Sequence, residues 1–361
     1  MNWSKRPDSI VHQDDPYNAE PTPQALDGHL LTPLDTFYSR NHGPIPTLDP
    51  DRWRLRVDGL VKHSLDLSLA ALQRRYPIRT VVATLQCAGA RRVDLMDVRE
   101  IPGEAPWGPG ATSTAEWTGV ALCDVLADAG LQTGAEHVAF EAPDLSEIAN
   151  PPQTYGSSIS TPKATSPEVL LAWGMNGQAL PAAHGAPVRV IVPGYIGARS
   201  VKWVSRITAQ TEPSSNYFQA TAYRLLPAEA DPSTAGPGDG LSLSSVALNC
   251  DILSPADGAV LPAGASLVSG YAYAGDDRSV VRVDLSTDDG SSWQQADLTY
   301  SGGPWAWSLW NASLQLPVGT SRITVRAWDS TGATQPESAA ALWNPKGYIN
   351  NAWGHITITS Y

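Results

Sequence analysis

The segment Pro227–Gly240 (PAEADPSTAGPGDG) most constrains how this chain can fold. Its prolines, glycines and short polar residues deny it a regular ladder of backbone hydrogen bonds, so neither a helix nor a strand runs through it. The chain therefore divides there, and its texture differs on the two sides. With 361 residues it is long enough for one large core and a second, smaller one. We expect an extended N-terminal arm over 1–36, a mixed domain over 37–240 and a β domain over 241–361.

The arm carries Pro7, Pro16, Pro21, Pro23 and Pro33 with little periodicity and reads as laid on the surface. Trp53–Leu60 (WRLRVDGL) alternates as a strand does, and Ser64–Pro77 (SLDLSLAALQRRYP) has helical spacing behind a polar start. Val81–Leu85 is a short buried strand, Thr118–Gly130 (TGVALCDVLADAG) a helix with a glycine stop, and Val188–Val192 a strand closed by Pro193-Gly194. Strands and helices without a regular βα rhythm point to an α+β domain. Beyond Gly240, alternating runs at Ser266–Tyr273, Val280–Ser286, Trp305–Leu309 and Arg322–Trp328 are separated by Asp-Gly, Gly-Gly and Thr-Gly turns. That spacing predicts an all-β sandwich.

Charge and motifs exclude several functions. The net charge of −12 argues against general nucleic-acid or anionic-membrane binding, and no apolar run is long enough to span a bilayer. The polar N-terminus has no secretory h-region, so the chain reads as cytoplasmic, or periplasmic if a signal has been removed. Three cysteines, at 87, 123 and 250, make no CxxC and no disulfide framework; Cys123 and Cys250 read as core thiols. No phosphate-binding loop, dinucleotide fingerprint, zincin or haem-attachment motif occurs, and the seven histidines show no paired metal spacing. Positive charge is nevertheless segregated. Arg74 to Arg92 holds five arginines and no acid, and His184 to Arg206 holds three arginines, Lys202 and no acid. Either these are two solvated patches or they meet around an anion.

Cys87, which closes the apolar run RTVVATLQC before Gly89 and the pair Arg91-Arg92, also has two readings. It is a core thiol at a strand end, or a thiolate favoured by Arg91 and Arg92 that serves as a nucleophile or a soft metal ligand. No histidine in a catalytic pattern accompanies it, which favours the ligand.

Four segments carry a resemblance. Thr84–Arg92 (TLQCAGARR) resembles the TLQCAGNRR motif of the sulfite oxidase family of molybdenum enzymes, and Phe37–Pro46 (FYSRNHGPIP) its F-x-R-N-H-x-P-x-P. His184–Trp203 (HGAPVRVIVPGYIGARSVKW) is similar to HGxPxRVVVPGxxGARxVKW, and Trp343–His355 (WNPKGYINNAWGH) to the ending WNLRGVxxxxWHR. They occur in the family's order from about residue 35 to the C-terminus. The resemblance implies a sulfite-oxidase-type molybdopterin-binding catalytic domain over 37–240, then an immunoglobulin-like dimerisation domain over 241–361. It implies molybdenum and molybdopterin as cofactors, with Cys87 as the protein ligand to the metal. Tyr38, Arg40, Asn41, His42, Asp144, His184, Arg189, Ser200 and Lys202 match cofactor contacts, with Arg189 and Lys202 suited to its phosphate. Arg40 and Arg92 match the arginines that hold the substrate anion, Trp107 a pocket wall, and Tyr223 the active-site tyrosine.

The activity so implied is oxidation of sulfite to sulfate by a homodimer that passes electrons to a separate acceptor, a cytochrome or oxygen. Two positions depart from the family pattern. Ala90 stands where the motif has asparagine, and Lys346 where a third substrate arginine is usual, keeping the charge without the bidentate fork. These departures leave open another oxyanion or an S- or N-oxide as substrate, as in the nitrate reductases that share the fold. A non-enzymatic binding protein with Cys87 in its core is the remote alternative.

Overall fold

The structure, a computed structural model, describes residues 3–361. Residues 54–210 build two sheets. In one, strand Ile78–Gln86 pairs antiparallel with Thr112–Ala121, which pairs with Leu170–Met175, which in turn takes Arg189–Ile191 on its other side. In the other, the order is Leu65–Ser68, Arg54–Gly59, Arg206–Gln210, His137–Ser146 and Gln153–Ser160, and only the pairing of Arg54–Gly59 with Arg206–Gln210 is parallel. Residues 249–360 build two further sheets around strands Gly264–Tyr273 and Gly319–Asp329. The chain is thus mixed α and β, followed by a part that is mostly β. No helix among the described residues is long and apolar enough to cross a membrane.

Several elements begin elsewhere than the sequence predicts, each for a local reason. Within Thr118–Gly130 the first four residues prolong strand Thr112–Ala121, and the helix is Leu122–Ala129. Its stop is as expected: Gly130 adopts φ 70° and returns its N–H to Leu126 and Ala127. Ser64–Pro77 likewise holds strand Leu65–Ser68 before helix Leu69–Arg75, because Leu-Asp-Leu-Ser alternates; the Ser68 hydroxyl then caps the helix by accepting from Ala71 N–H. The run Trp305–Leu309 is strand only from Ser308. Trp305 and Trp307 instead tie this loop to the strand that leads to Cys87: Trp305 C=O accepts from Thr84 N–H at 2.9 Å and Trp307 N–H donates to Thr84 Oγ1 at 2.8 Å.

The arm is more than a surface strap. It forms a hairpin of Ile10–Gln13 with Asn18–Glu20 and a short turn at Pro23–Leu26. Asn18, Ala19, Glu20 and Leu26 are buried, as is Lys5.

One large core gathers Leu55, Val57, Leu72, Val125 and Phe140 with Tyr271, Tyr273 and Trp307 from beyond the Pro/Gly segment. A second, within residues 248–358, contains Cys250, Val268, Trp310, Ile323 and Ile356. The first core therefore extends across the predicted boundary.

Arg91 fastens the two parts together. Its backbone is left-handed (φ 59°), an unusual state for a side-chain-bearing residue, and it directs the guanidinium away from Arg92. Arg91 is buried between Asp94 (3.0 Å) and Asp251 (3.1 Å), and it donates to Asn249 Oδ1 and to the carbonyls of Ala352 and Trp353. Burial pushes the Asp251 carboxyl up to about 6, against the pull of Arg91. Arg91→Ala, which strands this acid without its cation, is expected to destabilise the protein by about 3–5 kcal/mol. An unshifted calorimetric midpoint in that variant would remove Arg91 as the fastening residue.

Candidate functional site

Cys87 follows directly on strand Ile78–Gln86, whose last four residues are buried. Cys87 N–H donates to Ala111 C=O, Cys87 C=O accepts from Ala90 N–H, and the loop closes where Arg92 N–H meets Gly89 C=O. A Cβ on Gly89 would stand 2.6 Å from the Arg92 guanidinium, and one on Gly347 would stand 2.6 Å from Arg92 Cγ. The missing side chains at Gly89 and Gly347 therefore make the slot for Arg92. Burial raises the Cys87 thiol above its ordinary range, while Arg92 and Arg40 draw it back. The sequence reading placed Arg91 beside the thiol with Arg92. That is corrected: Arg91 serves the junction, and Arg40 is the second cation at Cys87.

Beside the thiol lies a cavity of about 60 Å³. Its walls include Tyr38, Arg40, Asn41, His42, Cys87, Asp144, His184, Arg189, Ser200, Lys202 and Tyr223. The sequence predicted every one of these as a site residue. Its cations are bonded to neutral oxygens. Arg189 donates to His184 and Ser200 carbonyls at 2.9 Å each; Lys202 donates to Arg40 and Ala183 carbonyls and to Asn41 Oδ1; Arg40 donates to Asn18 Oδ1 and Asn41 C=O. Among the described residues none of these three forms an ion pair within 4.0 Å. Burial holds Arg189 down at about 10 and Lys202 well below its ordinary value. Asp144, the one acid on the wall, is pushed up to about 7 by burial although Lys202 opposes this, and its Oδ1 has no hydrogen-bond partner. Ser39 Oγ is equally unpartnered. Cations without counter-ions and orphaned polar atoms around one soft sulfur fit a bound anion with polar edges, such as a phosphate-bearing pterin holding a soft metal. At Gly197 a Cβ would reach 2.7 Å from Tyr38 Oη, so that glycine lets the hydroxyl into the wall.

The arm contributes a residue that the sequence did not suggest. Lys5 Nζ donates to Leu34 and Phe37 carbonyls at 2.7 Å and lies 2.6 Å from His184 Nε2; burial lowers it to about 7. A lone lysine ahead of the first motif gives no sequence signal.

His42 Nε2 and Tyr223 Oη are 2.6 Å apart, with His42 stacked on Tyr155 at 4.8 Å. Burial, helped by Arg40 and Lys202, lowers His42 well below its usual value and keeps it neutral; burial also raises Tyr223, so the pair retains its protons near neutrality. Tyr223 stacks at 5.5 Å on Tyr348, which the Arg92 guanidinium faces at 5.3 Å. Tyr348 was missed. Its signal was present in the sequence, since WNPKGY carries tyrosine where the family segment has valine.

Other predicted positions stand off the cavity wall. Arg92 donates to Lys346 and Ala105 carbonyls, and Lys346 Nζ pairs with Glu104. Trp107 is buried in the same cluster as Cys87 and Tyr38 but meets the edge of His12 at 4.5 Å. Of the nine basic residues in the two acid-free windows, Arg92, Arg189 and Lys202 approach the site. Arg75, Arg79 and Arg206 pair with Asp128, Asp124 and Asp58, and Arg199 is buried on the Leu243 carbonyl and Ser157.

Residues 42–218 match the family described as oxidoreductase molybdopterin binding domain, and residues 242–361 the Mo-co oxidoreductase dimerisation domain. The chain is 41% identical over 359 residues to the sulfite oxidase of Gallus gallus, covering 97% of this chain and 77% of that protein. It is 39% identical over 365 residues to the mitochondrial sulfite oxidase of Rattus norvegicus, of which it spans 66%. Among solved structures, the sulfane dehydrogenase SoxCD of Paracoccus pantotrophus superposes with a TM-score of 0.81 at 26% identity, over 97% of this chain and 86% of that one.

The departure at Ala90 has a visible consequence. Ala90, Gln86, Cys87, Asn249, Ile349 and Asn350 line a small cavity of about 10 Å³ beneath the loop, no more than one water needs, and Gln86 Nε2 is buried without a partner. Ala90→Asn must force its amide into that space and is expected to destabilise the protein by about 1–3 kcal/mol. An unchanged or raised thermal midpoint would show that the loop gives way and that the amide satisfies Gln86.

Proposed function

This chain belongs to the sulfite oxidase family of molybdopterin oxidoreductases, and from that membership we propose that it oxidises sulfite to sulfate and passes the electrons to a separate acceptor. The observation that carries the reading is the set of buried cations bonded to neutral oxygens beside Cys87.

Molybdenum cofactor bound in this cavity supplies two-electron oxygen-atom-transfer chemistry. Cys87 provides the thiolate that a soft metal prefers. Arg189, Lys202 and Ser200 suit the cofactor's phosphate; Tyr38, Asn41, His42, Asp144 and His184 suit its polar edges. Arg40, on the wall beside the thiol, and Arg92, held in the slot of Gly89 and Gly347, orient the oxygens of a small dianion through guanidinium forks. Lys346, paired with Glu104, adds charge beside Arg92, which donates to its carbonyl. Tyr223 holds a proton close to the site, steadied by neutral His42, and the Tyr155, Tyr223 and Tyr348 rings keep that side dry, which strengthens every charge interaction within.

We read residues 37–240 as the cofactor domain and 241–361 as an immunoglobulin-like sandwich that pairs two copies; the shared inner cluster of its two sheets supports the sandwich. The acceptor is a cytochrome or oxygen. Sedimentation of the purified protein checks the pairing.

Purified protein is expected to hold near-stoichiometric molybdenum and to reduce a dye acceptor with sulfite faster than it oxidises reduced dye with nitrate. The reverse preference would make it a nitrate reductase. Cys87→Ser is expected to abolish sulfite-dependent turnover with the circular dichroism spectrum unchanged; turnover at the parent rate would refute the ligand role. Arg40→Gln, which removes a charge-assisted contact, is expected to raise KM for sulfite about 10–100-fold. An unchanged KM would take Arg40 out of the anion site.

A further inference from the structure

Arg92 and Lys346, which stand just off the cavity wall at the positions assigned above to the substrate anion, already share one. Glu104 Oε2 lies 3.3 Å from Arg92 Nη2, and Glu104 Oε1 accepts from Lys346 Nζ at 2.8 Å. Glu104 belongs to the loop between helix Arg92–Val98 and strand Thr112–Ala121, and its side chain is 18% exposed. Burial favours protonation of this carboxyl, but Arg92 and Lys346 outweigh it and hold Glu104 below the usual carboxylate range. Its charge is felt at Arg40 and Tyr223 on the cavity wall and at Tyr348, whose ring the Arg92 guanidinium faces.

Without this acid, Arg92 would be a cation of 3% exposure held by two carbonyls and the face of the Tyr348 ring. Glu104 keeps it and Lys346 in place while the pocket is empty. The same pairing opposes ligand binding, since an entering oxyanion must compete with a tethered carboxylate for the same donors. A doubly charged anion gains enough from Arg40, Arg92 and Lys346 to win that competition, and a singly charged one gains about half as much.

We infer that Glu104 is a specificity-determining residue, an internal counter-ion of Arg92 and Lys346 that the substrate oxyanion displaces, and that it sets the pocket's anion affinity and its preference for dianions. This rests on the assignment of the pocket to an oxyanion substrate. It makes Glu104 a counterpart to the departure at Lys346: a lysine tolerates the loss of its acid partner in a way that a bidentate arginine–carboxylate fork does not.

The test is Glu104→Gln in the holoenzyme, an isosteric change that keeps a hydrogen-bond acceptor for Lys346. KM for sulfite is expected to fall about tenfold, with a much smaller change in kcat, because a charged competitor for a charged hydrogen bond has been removed. The dissociation constant of sulfate, measured by titration calorimetry without turnover, falls in parallel. Inhibition by chloride, weak in the parent, becomes pronounced. In a Lys346→Gln background the gain from Glu104→Gln shrinks, as coupled residues require. Glu104→Asp, which keeps the charge but withdraws it by one methylene, gives an intermediate shift and serves if the glutamine variant does not fold. A KM or sulfate dissociation constant that is unchanged or raised in the glutamine or aspartate variant overturns the proposal, and marks Glu104 as a support for Arg92 instead. Tighter sulfate binding in a protein that does not turn over sulfite would uphold Glu104 and overturn sulfite as the substrate.

Discussion

The structure depends on buried basic side chains that, among the described residues, have no acid within bonding distance. Arg40, Arg189 and Lys202 sit around one cavity on carbonyl and amide oxygens, with Lys5 behind them on His184. An ion removed from water costs several kcal/mol even after relaxation. Here the cost is reduced by carbonyls from five stretches of chain: Leu34 to Asn41, Ala183-His184, Ser200 and, for Arg92, Ala105 and Lys346. Most of those stretches fall in or beside three of the four matched segments of the sequence; Ala105 falls in none. Their positions relative to one another follow from the need to present oxygens to the cations, and the cations are retained because an anion completes the arrangement.

The second constraint is the divergence of Arg91 and Arg92. The left-handed backbone at Arg91 sends one guanidinium to Asp251 and the next into the slot of Gly89 and Gly347. Ile349 answers from the other side: it too has positive φ (50°), costly for a β-branched residue, and its N–H donates to Ala88 C=O at 2.7 Å. Tyr223 and Trp203, which border the cavity, share the same backbone state. Two of these strained residues, Arg91 and Ile349, lie where the C-terminal segment closes over the Cys87 loop. Site and inter-domain junction are one object, which is why the large core does not stop at the Pro/Gly segment.

Much of this was legible in the sequence. The motif residues on the cavity wall could be named because the segments that carry them resemble those of the family, position by position. What stayed hidden depended on long-range packing. The two acid-free windows suggested nine converging cations, but sequence does not show that Asp58, Asp124 and Asp128 come from elsewhere to pair with Arg206, Arg79 and Arg75. Lys5 has no motif, and Glu104 lies in a loop whose composition says nothing of what it faces. Tyr348 could have been read from its departure at one letter of a matched segment. Helix starts at Leu69 and Leu122 were misjudged because the alternation before each still has strand period.

Geometry also narrows the two readings of Cys87. A nucleophilic thiol needs a base within reach, and the cavity's two histidines are engaged: His42 with Tyr223, and His184 with Lys5. Both are lowered by burial first and by neighbouring cations next, so neither draws a proton readily. A simple core thiol would not need Arg40 and Arg92 arranged so that each offsets the burial of its sulfur. The environment disfavours thiolate in the empty protein and yet keeps cations at hand for it, which is what a ligand requires when its negative charge forms only as a cationic metal arrives.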